Sequence, residues 1–109
     1  MIQRYRIPVR GVSFDQRQSH LETMMANPGT KIWFERESSN AFDRNAIKVM
    51  ASINANDVCI GYMPKEHAAV FAPMMDQYGA KLRADHYLVT GGTAGKFFGC
   101  SVDLTYITP

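Results

Sequence analysis

The chain has 109 residues, 46% hydrophobic and 20% charged, which is the make-up of one globular domain spanning residues 1–109 around one core. Its longest apolar runs, such as Ala68 to Ala72, fall far short of the ~20 residues that cross a bilayer, and no signal-peptide stretch opens the sequence. A cytoplasmic protein is therefore expected. A formal charge of +2 permits an acidic partner without demanding one.

From Arg4 to Gly11 the apolar residues Tyr5, Ile7 and Val9 alternate with Arg4, Arg6 and Arg10, the period of two of a half-buried strand with three arginines on its outer face. Ser19 and Glu22 have the spacing of a capping box. They predict a short helix that buries Leu21, Met24 and Met25 and stops at Asn27-Pro28-Gly29. Lys31 to Arg36 and Ala46 to Ala51 read as strands joined by a polar loop, and a turn over Ser52 to Asp57 leads to a third, Val58 to Met63.

Pro64 suits the first turn of a second helix, whose apolar face is Ala68, Val70, Phe71, Met74, Met75 and Tyr78 and whose end is Gly79. Pro73 is expected to kink or divide it. Lys81 to Thr90 and Lys96 to Ile107 complete the strands around a Gly91 to Gly95 hairpin loop, with Phe98, Cys100, Val102, Leu104 and Tyr106 in one alternating row. The expected fold is mainly β: about six antiparallel strands in a small OB-like barrel, with two short helices and no βαβ series.

Cofactor chemistry finds little support. Cys59 and Cys100 are the only cysteines and read as buried free thiols, and the three histidines make no metal-ligand spacing. Gly91 to Lys96 superficially resembles a phosphate loop, but it is one residue short, has Phe97 where a serine or threonine is required, and lies between strands. No nucleophile elbow is present. Glu35, Glu37 and Asp43 are oxygen donors that could hold a nuclease metal, but carboxylates at a strand end are more simply solvated charges. No cofactor and no catalytic residue are expected.

The polar loop Glu37 to Lys48 carries more information. Asn40, Asp43 and Asn45 favour tight turns closed by side-chain bonds to the backbone. Phe42, a large aromatic in polar company, either pins the loop to the core or offers a face for stacking.

Three ordered blocks, Val9-Arg-Gly-Val-Ser-Phe14, Phe34-Glu-Arg-Glu37 with Asn40-Ala-Phe-Asp-Arg-Asn-Ala-Ile-Lys-Val49, and Ile60-Gly-Tyr-Met-Pro-Lys-Glu66, resemble the HIRAN domain family over nearly the whole chain. The family is best known from Swi/Snf-type helicases that remodel stalled replication forks. The resemblance implies a non-catalytic, OB-related barrel that captures the 3′ end of single-stranded DNA. It puts Asn40, Phe42 and Asp43 at the terminal nucleotide, Phe14 and Phe98 at aromatic positions, and Tyr62 and Lys65 at phosphate. Arg10 and Arg17 are further phosphate candidates.

Ala41 stands where the family usually has proline, Ser39 replaces an asparagine, and Ser13 replaces a basic residue of some members. The expected partner is single-stranded DNA, with RNA also admissible and a helicase or nuclease working alongside. The alternative is a protein-interaction module without DNA affinity, anchored on aromatics such as Trp33 or Tyr78.

Overall fold

A computed structural model describes residues 2–14, 16–78 and 81–107. In chain order the elements are β1 (Ile2–Pro8), α1 (Arg17–Ala26), β2 (Ile32–Arg36), β3 (Ile47–Ile53), β4 (Asn56–Tyr62), α2 (Lys65–Tyr78), β5 (Lys81–Thr90) and β6 (Gly99–Ile107). They form two three-stranded antiparallel sheets, β1-β6-β5 and β2-β3-β4.

The sheets share one apolar core, in which Ile7, Val49, Ile60, Val102 and Leu104 from the strands meet Leu21 and Met24 from α1 and Phe71 from α2. Fully burying each such side chain contributes about 1.5–3 kcal/mol. Phe71 also joins α2 to the first sheet, its ring centroid lying 5.8 Å from that of Tyr5 and 5.7 Å from that of Tyr106. At one seam the sheets are linked by an isolated bridge, Arg10 to Tyr62, with N–H···O distances of 2.8 and 2.9 Å. At the opposite seam β2 and β5 lie against each other without forming a ladder, so the barrel is not closed.

The bridge depends on two local features of β4. The register jumps between Val49/Gly61 and Met50/Cys59, so Ile60 is the extra residue of a bulge, and a bulge bends its strand and re-aims the residues beyond it. Next to it, a Cβ on Gly61 would collide with the Arg10 carbonyl oxygen and the Val9 side chain. Only glycine lets the chain after β1 approach so closely. The β3–β4 hairpin turns on Asn54 and Ala55, both at positive φ (51° and 66°), as a two-residue turn of primed type requires.

Several sequence expectations need correction. Ser19 is not an N-cap: α1 starts at Arg17 behind Gln16, and the Ser19 hydroxyl donates to the Gln16 carbonyl at 2.9 Å. Of its predicted buried residues Leu21 and Met24 are buried, while Met25 is exposed. Pro73 does not divide the second helix, which runs continuously from Lys65 to Tyr78. The first strand ends at Pro8, and the last begins at Gly99, so Lys96 to Phe98 belong to the preceding loop. The helix end at Gly79 and the Tyr78 side chain lie outside the described residues. Both cysteines are free, but only Cys100 is buried and Cys59 is half-buried. Burial pushes the Cys100 thiol up to about 11, which keeps it protonated and inert. Among the described residues no helix is long and apolar enough to cross a membrane.

Candidate functional site

The loop from Glu37 to Ala46 is held at its base by the backbone, the Glu37 N–H donating to Ala46 O at 2.9 Å. The Arg36 guanidinium donates to the same carbonyl at 2.8 Å and grips Asp76 of α2 with two further bonds of 3.0 and 2.8 Å. Inside the loop the Asn40 side-chain oxygen accepts the backbone N–H groups of Phe42 and Asp43, at 2.8 and 3.0 Å. Asp43 Oδ1 in turn accepts the N–H of Asn45 at 2.9 Å. These are the side-chain-closed turns that Asn and Asp favour. With the short bonds made internally, the Phe42 ring is left in solvent, 94% exposed, and does not pin the loop to the core.

An open groove of about 750 Å³ lies beside this loop, within the range of small-molecule sites. Phe42, Asn40 and Asp43 form one wall, and Arg10, Phe14 and Arg17, which follow β1, form another. The end of β4 and the start of α2 supply Tyr62 and Lys65. Phe14 is 64% exposed, so two aromatic faces are presented to solvent in one place.

The charges are mixed: Arg10, Arg17 and Lys65 face the carboxylates of Asp43 and Glu66. Lys65 and Arg10 are exposed and make no ion pair among the described residues. Lys65 also opens α2, where the His67 N–H is already bonded to Pro64 O at 3.0 Å but the Lys65 and Glu66 N–H groups precede the first helical bond and the helix dipole favours an anion.

Three of these side chains are already committed within the protein, the first being Arg17, whose guanidinium donates to Gly11 O at 2.7 Å. Tyr62 donates its hydroxyl to Glu37 Oε1 at 2.8 Å, and Arg17 lies over its ring at 5.5 Å. Burial, followed by that bond to the carboxylate, raises the Tyr62 phenol above its usual range, so it stays protonated and its one proton points at Glu37. Asn40 uses its oxygen on the loop and donates through Nδ2 to the same Glu37 oxygen at 2.6 Å. By contrast, Asp43 Oδ2 has no hydrogen-bond partner among the described residues and can accept from a ligand.

A sequence profile of the HIRAN domain matches residues 2–104. The chain belongs to the HIRAN domain family. HIRAN domains are DNA-binding domains and are generally non-catalytic. Among solved structures, the crystal structure of the HIRAN domain of human HLTF is similar to this chain, with a TM-score of 0.58 and 24% identity over 94% of this chain and 74% of that one. That likeness extends to the fold, and it fits the mainly β, OB-like architecture read from the sequence. No curated protein sequence matches the chain significantly.

Eight of the nine site residues named from this HIRAN sequence thus line one groove: Arg10, Phe14, Arg17, Asn40, Phe42, Asp43, Tyr62 and Lys65. Phe98 is not among the lining residues. It is half-buried against the core, and Gln18 holds its backbone, accepting the Phe98 N–H at 2.7 Å and donating to its carbonyl at 3.0 Å. Gln18 also donates to Val12 O at 2.8 Å, which ties the Phe98 loop to the one carrying Phe14.

The neighbouring Phe97 is the exposed ring, at 71%. Its place in the sequence marks it only as a failed phosphate-loop position, and no local pattern signals its exposure. Trp33, offered as a protein-binding anchor, is half-buried with the Lys31 ammonium 5.7 Å over its ring. Glu35 and Glu37 do not converge with Asp43: among the described residues no three His, Cys, Asp or Glu side chains could hold one metal ion, and Glu37 faces Lys48 at 3.1 Å.

Proposed function

We propose that this HIRAN domain captures single-stranded DNA by its 3′-hydroxyl end, without chemistry of its own. It would act in the cytoplasm, in DNA repair or replication-fork processing beside a helicase or nuclease. The observation that carries this reading is the pairing of two solvent-facing rings, Phe14 and Phe42, with the exposed cation of Lys65 and, among the described residues, the half-satisfied carboxylate of Asp43 in a single groove. The first parts suit any nucleic acid strand, and the carboxylate adds the preference for an end.

The division of labour follows from elementary chemistry. Bases stack on Phe14 and Phe42 whatever their identity, each stack being worth about 1–3 kcal/mol. A backbone phosphate sits at Lys65 and the N-terminus of α2, with Arg10 within the same groove. Asp43 cannot attract a phosphate but can accept a hydroxyl proton through Oδ2. A strand that continued past this point would place its next phosphate against the carboxylate, and like charges repel. A terminal 3′-hydroxyl is accepted where a 3′-phosphate or an internal nucleotide is refused.

Fluorescence anisotropy with oligonucleotides of one sequence ending in a 3′-hydroxyl, ending in a 3′-phosphate, or circularised decides between end capture and general strand binding. Tight binding of the first alone is expected. Equal affinity for all three would remove the end-reading role, and no affinity for any at low salt would favour the protein-interaction reading. A matched RNA strand tests the tolerance for ribose. Incubation of labelled strands with magnesium or manganese is expected to give no cleavage.

A further inference from the structure

Glu37 is absent from the wall of the groove, yet it bonds side chains that reach it from three places in the chain. Oε1 accepts from Asn40 Nδ2 at 2.6 Å, in the loop, and from the Tyr62 hydroxyl at 2.8 Å, at the end of β4. Oε2 lies 3.1 Å from Lys48 Nζ of β3. Each of the first two partners passes the constraint on. Asn40 fixes the backbone of Phe42 and Asp43 through its oxygen, and Tyr62 carries Arg17 on its ring and shares the Arg10 bridge. The two walls of the groove therefore meet at a single carboxylate oxygen behind it.

We propose that Glu37 is a positioning residue: through Asn40 and Tyr62 it sets where Phe42 and Asp43 stand relative to Arg17 and Arg10, and so determines how well the groove holds its ligand. For the ligand this rests on the single-strand reading above, but the geometric claim does not. The half-buried carboxylate suits the task because one oxygen can accept two hydrogen bonds while the other meets a cation, and charge-assisted bonds of this kind are the stronger ones. Without the acceptor, the Asn40 amide and the Tyr62 hydroxyl turn to water, and the loop keeps its internal turns but loses its anchor to β4.

The test compares Glu37→Ala with Glu37→Gln, whose amide oxygen can still accept from both Asn40 and Tyr62. In protein without DNA, ¹⁵N relaxation should show residues 40–45 as ordered as the strands in the original chain and in Glu37→Gln. In Glu37→Ala they should be clearly more mobile, with the amide spectrum of the β1-β6-β5 sheet unchanged. For a single strand ending in a 3′-hydroxyl, Glu37→Ala should weaken binding about tenfold or more and narrow the preference over a 3′-phosphate, and Glu37→Gln should recover most of both.

Should Glu37→Ala fail to fold, Tyr62→Phe removes one arm of the hub and should give a smaller loss in the same two measurements. An unchanged loop and unchanged affinity in Glu37→Ala, or a folded Glu37→Gln that restores neither, would overturn the proposal. If the original chain binds no single strand, the functional reading fails while the relaxation comparison still decides the role of Glu37.

Discussion

The Tyr62 hydroxyl donates to the Glu37 carboxylate at 2.8 Å across 25 residues of sequence, joining the end of β4 to the loop that follows β2. The bond commits the one proton of Tyr62, which the HIRAN resemblance puts at phosphate, to the frame of the groove. The groups left to face a ligand are the rings of Phe14 and Phe42, the cations of Arg10 and Lys65, and one oxygen of Asp43.

Phe42 is so exposed that its removal leaves the fold untouched. Phe42→Ala should change the urea midpoint by no more than a few tenths of a kcal/mol in stability. It should weaken single-strand binding by about 1–3 kcal/mol, the range for one base stacked on an aromatic ring. The loss should be similar for thymine and adenine strands, since a stacking face does not read base edges. Anisotropy titrations with both homopolymers check this.

Lys65 makes a different prediction. Replacing its ammonium by a methionine should weaken binding for every sequence and flatten the dependence of affinity on salt. Losing one phosphate contact lowers the slope of log K against log salt by about 0.7 for a single strand. Titrations at several sodium chloride concentrations supply the slope, and an unchanged value would mean that Lys65 meets no phosphate.

Gly61→Ala should damage both the fold and the site. A methyl group there strikes the Arg10 carbonyl and the Val9 side chain, forcing the chain after β1 away from β4 and breaking the Arg10–Tyr62 bridge. Overpacking of this kind costs about 1–3 kcal/mol, which for a domain near this size lowers Tm by several degrees, at ~4–8 °C per kcal/mol. Thermal unfolding followed by circular dichroism measures it.

Acid should weaken the domain through four carboxylates held below their usual range. Glu37 is lowered chiefly by its bond from Asn40, Asp76 by Arg36, Asp85 by Thr105, and Asp103 by Arg6. A carboxylate whose folded value lies below its unfolded one contributes stability that is fully present above the unfolded value, here 3.8 for Asp and 4.5 for Glu. That contribution is lost as pH falls through the folded value. Urea midpoints should therefore be flat from pH 7 to about 5 and fall below pH 4. Glu37→Gln should make the acid fall shallower, while the exposed pair of Arg6 and Asp103 should add little.

Much of this was legible in the sequence where one residue type answers one local demand. The alternation Cys100, Val102, Leu104, Tyr106 marks the buried face of β6 because a strand has a period of two. Phe98 continues that rhythm and still falls outside the strand, since its backbone bonds go to Gln18 rather than to a neighbouring strand. Ser19 and Glu22 have the spacing of a cap, but the helix starts three residues earlier than that cap would place it, at Arg17, whose N–H donates to Phe14 O at 3.1 Å, and pattern alone does not weigh that bond.

Asn40 and Tyr62 were placed at the groove by family resemblance. The Asn40 bond to Glu37 spans only three residues, but that of Tyr62 crosses 25 and no local pattern contains it. In sequence Glu37 stands out as a potential metal ligand and as the end of a family block, and neither gives it this role, because its partners Tyr62 and Lys48 are brought to it by the β3–β4 hairpin.

The order of strand pairing has a kinetic consequence. β2, β3 and β4 join through successive hairpins, which close quickly, whereas β1 pairs with β6, Ile2 opposite Ile107, and must wait for the far end of the chain. Arg10 follows β1, so the wall it brings to Tyr62 is assembled after the hairpins. In refolding from urea, binding competence should rise with the slowest phase of the reaction, later than the first burst of β structure, and stopped-flow anisotropy beside circular dichroism would separate the two.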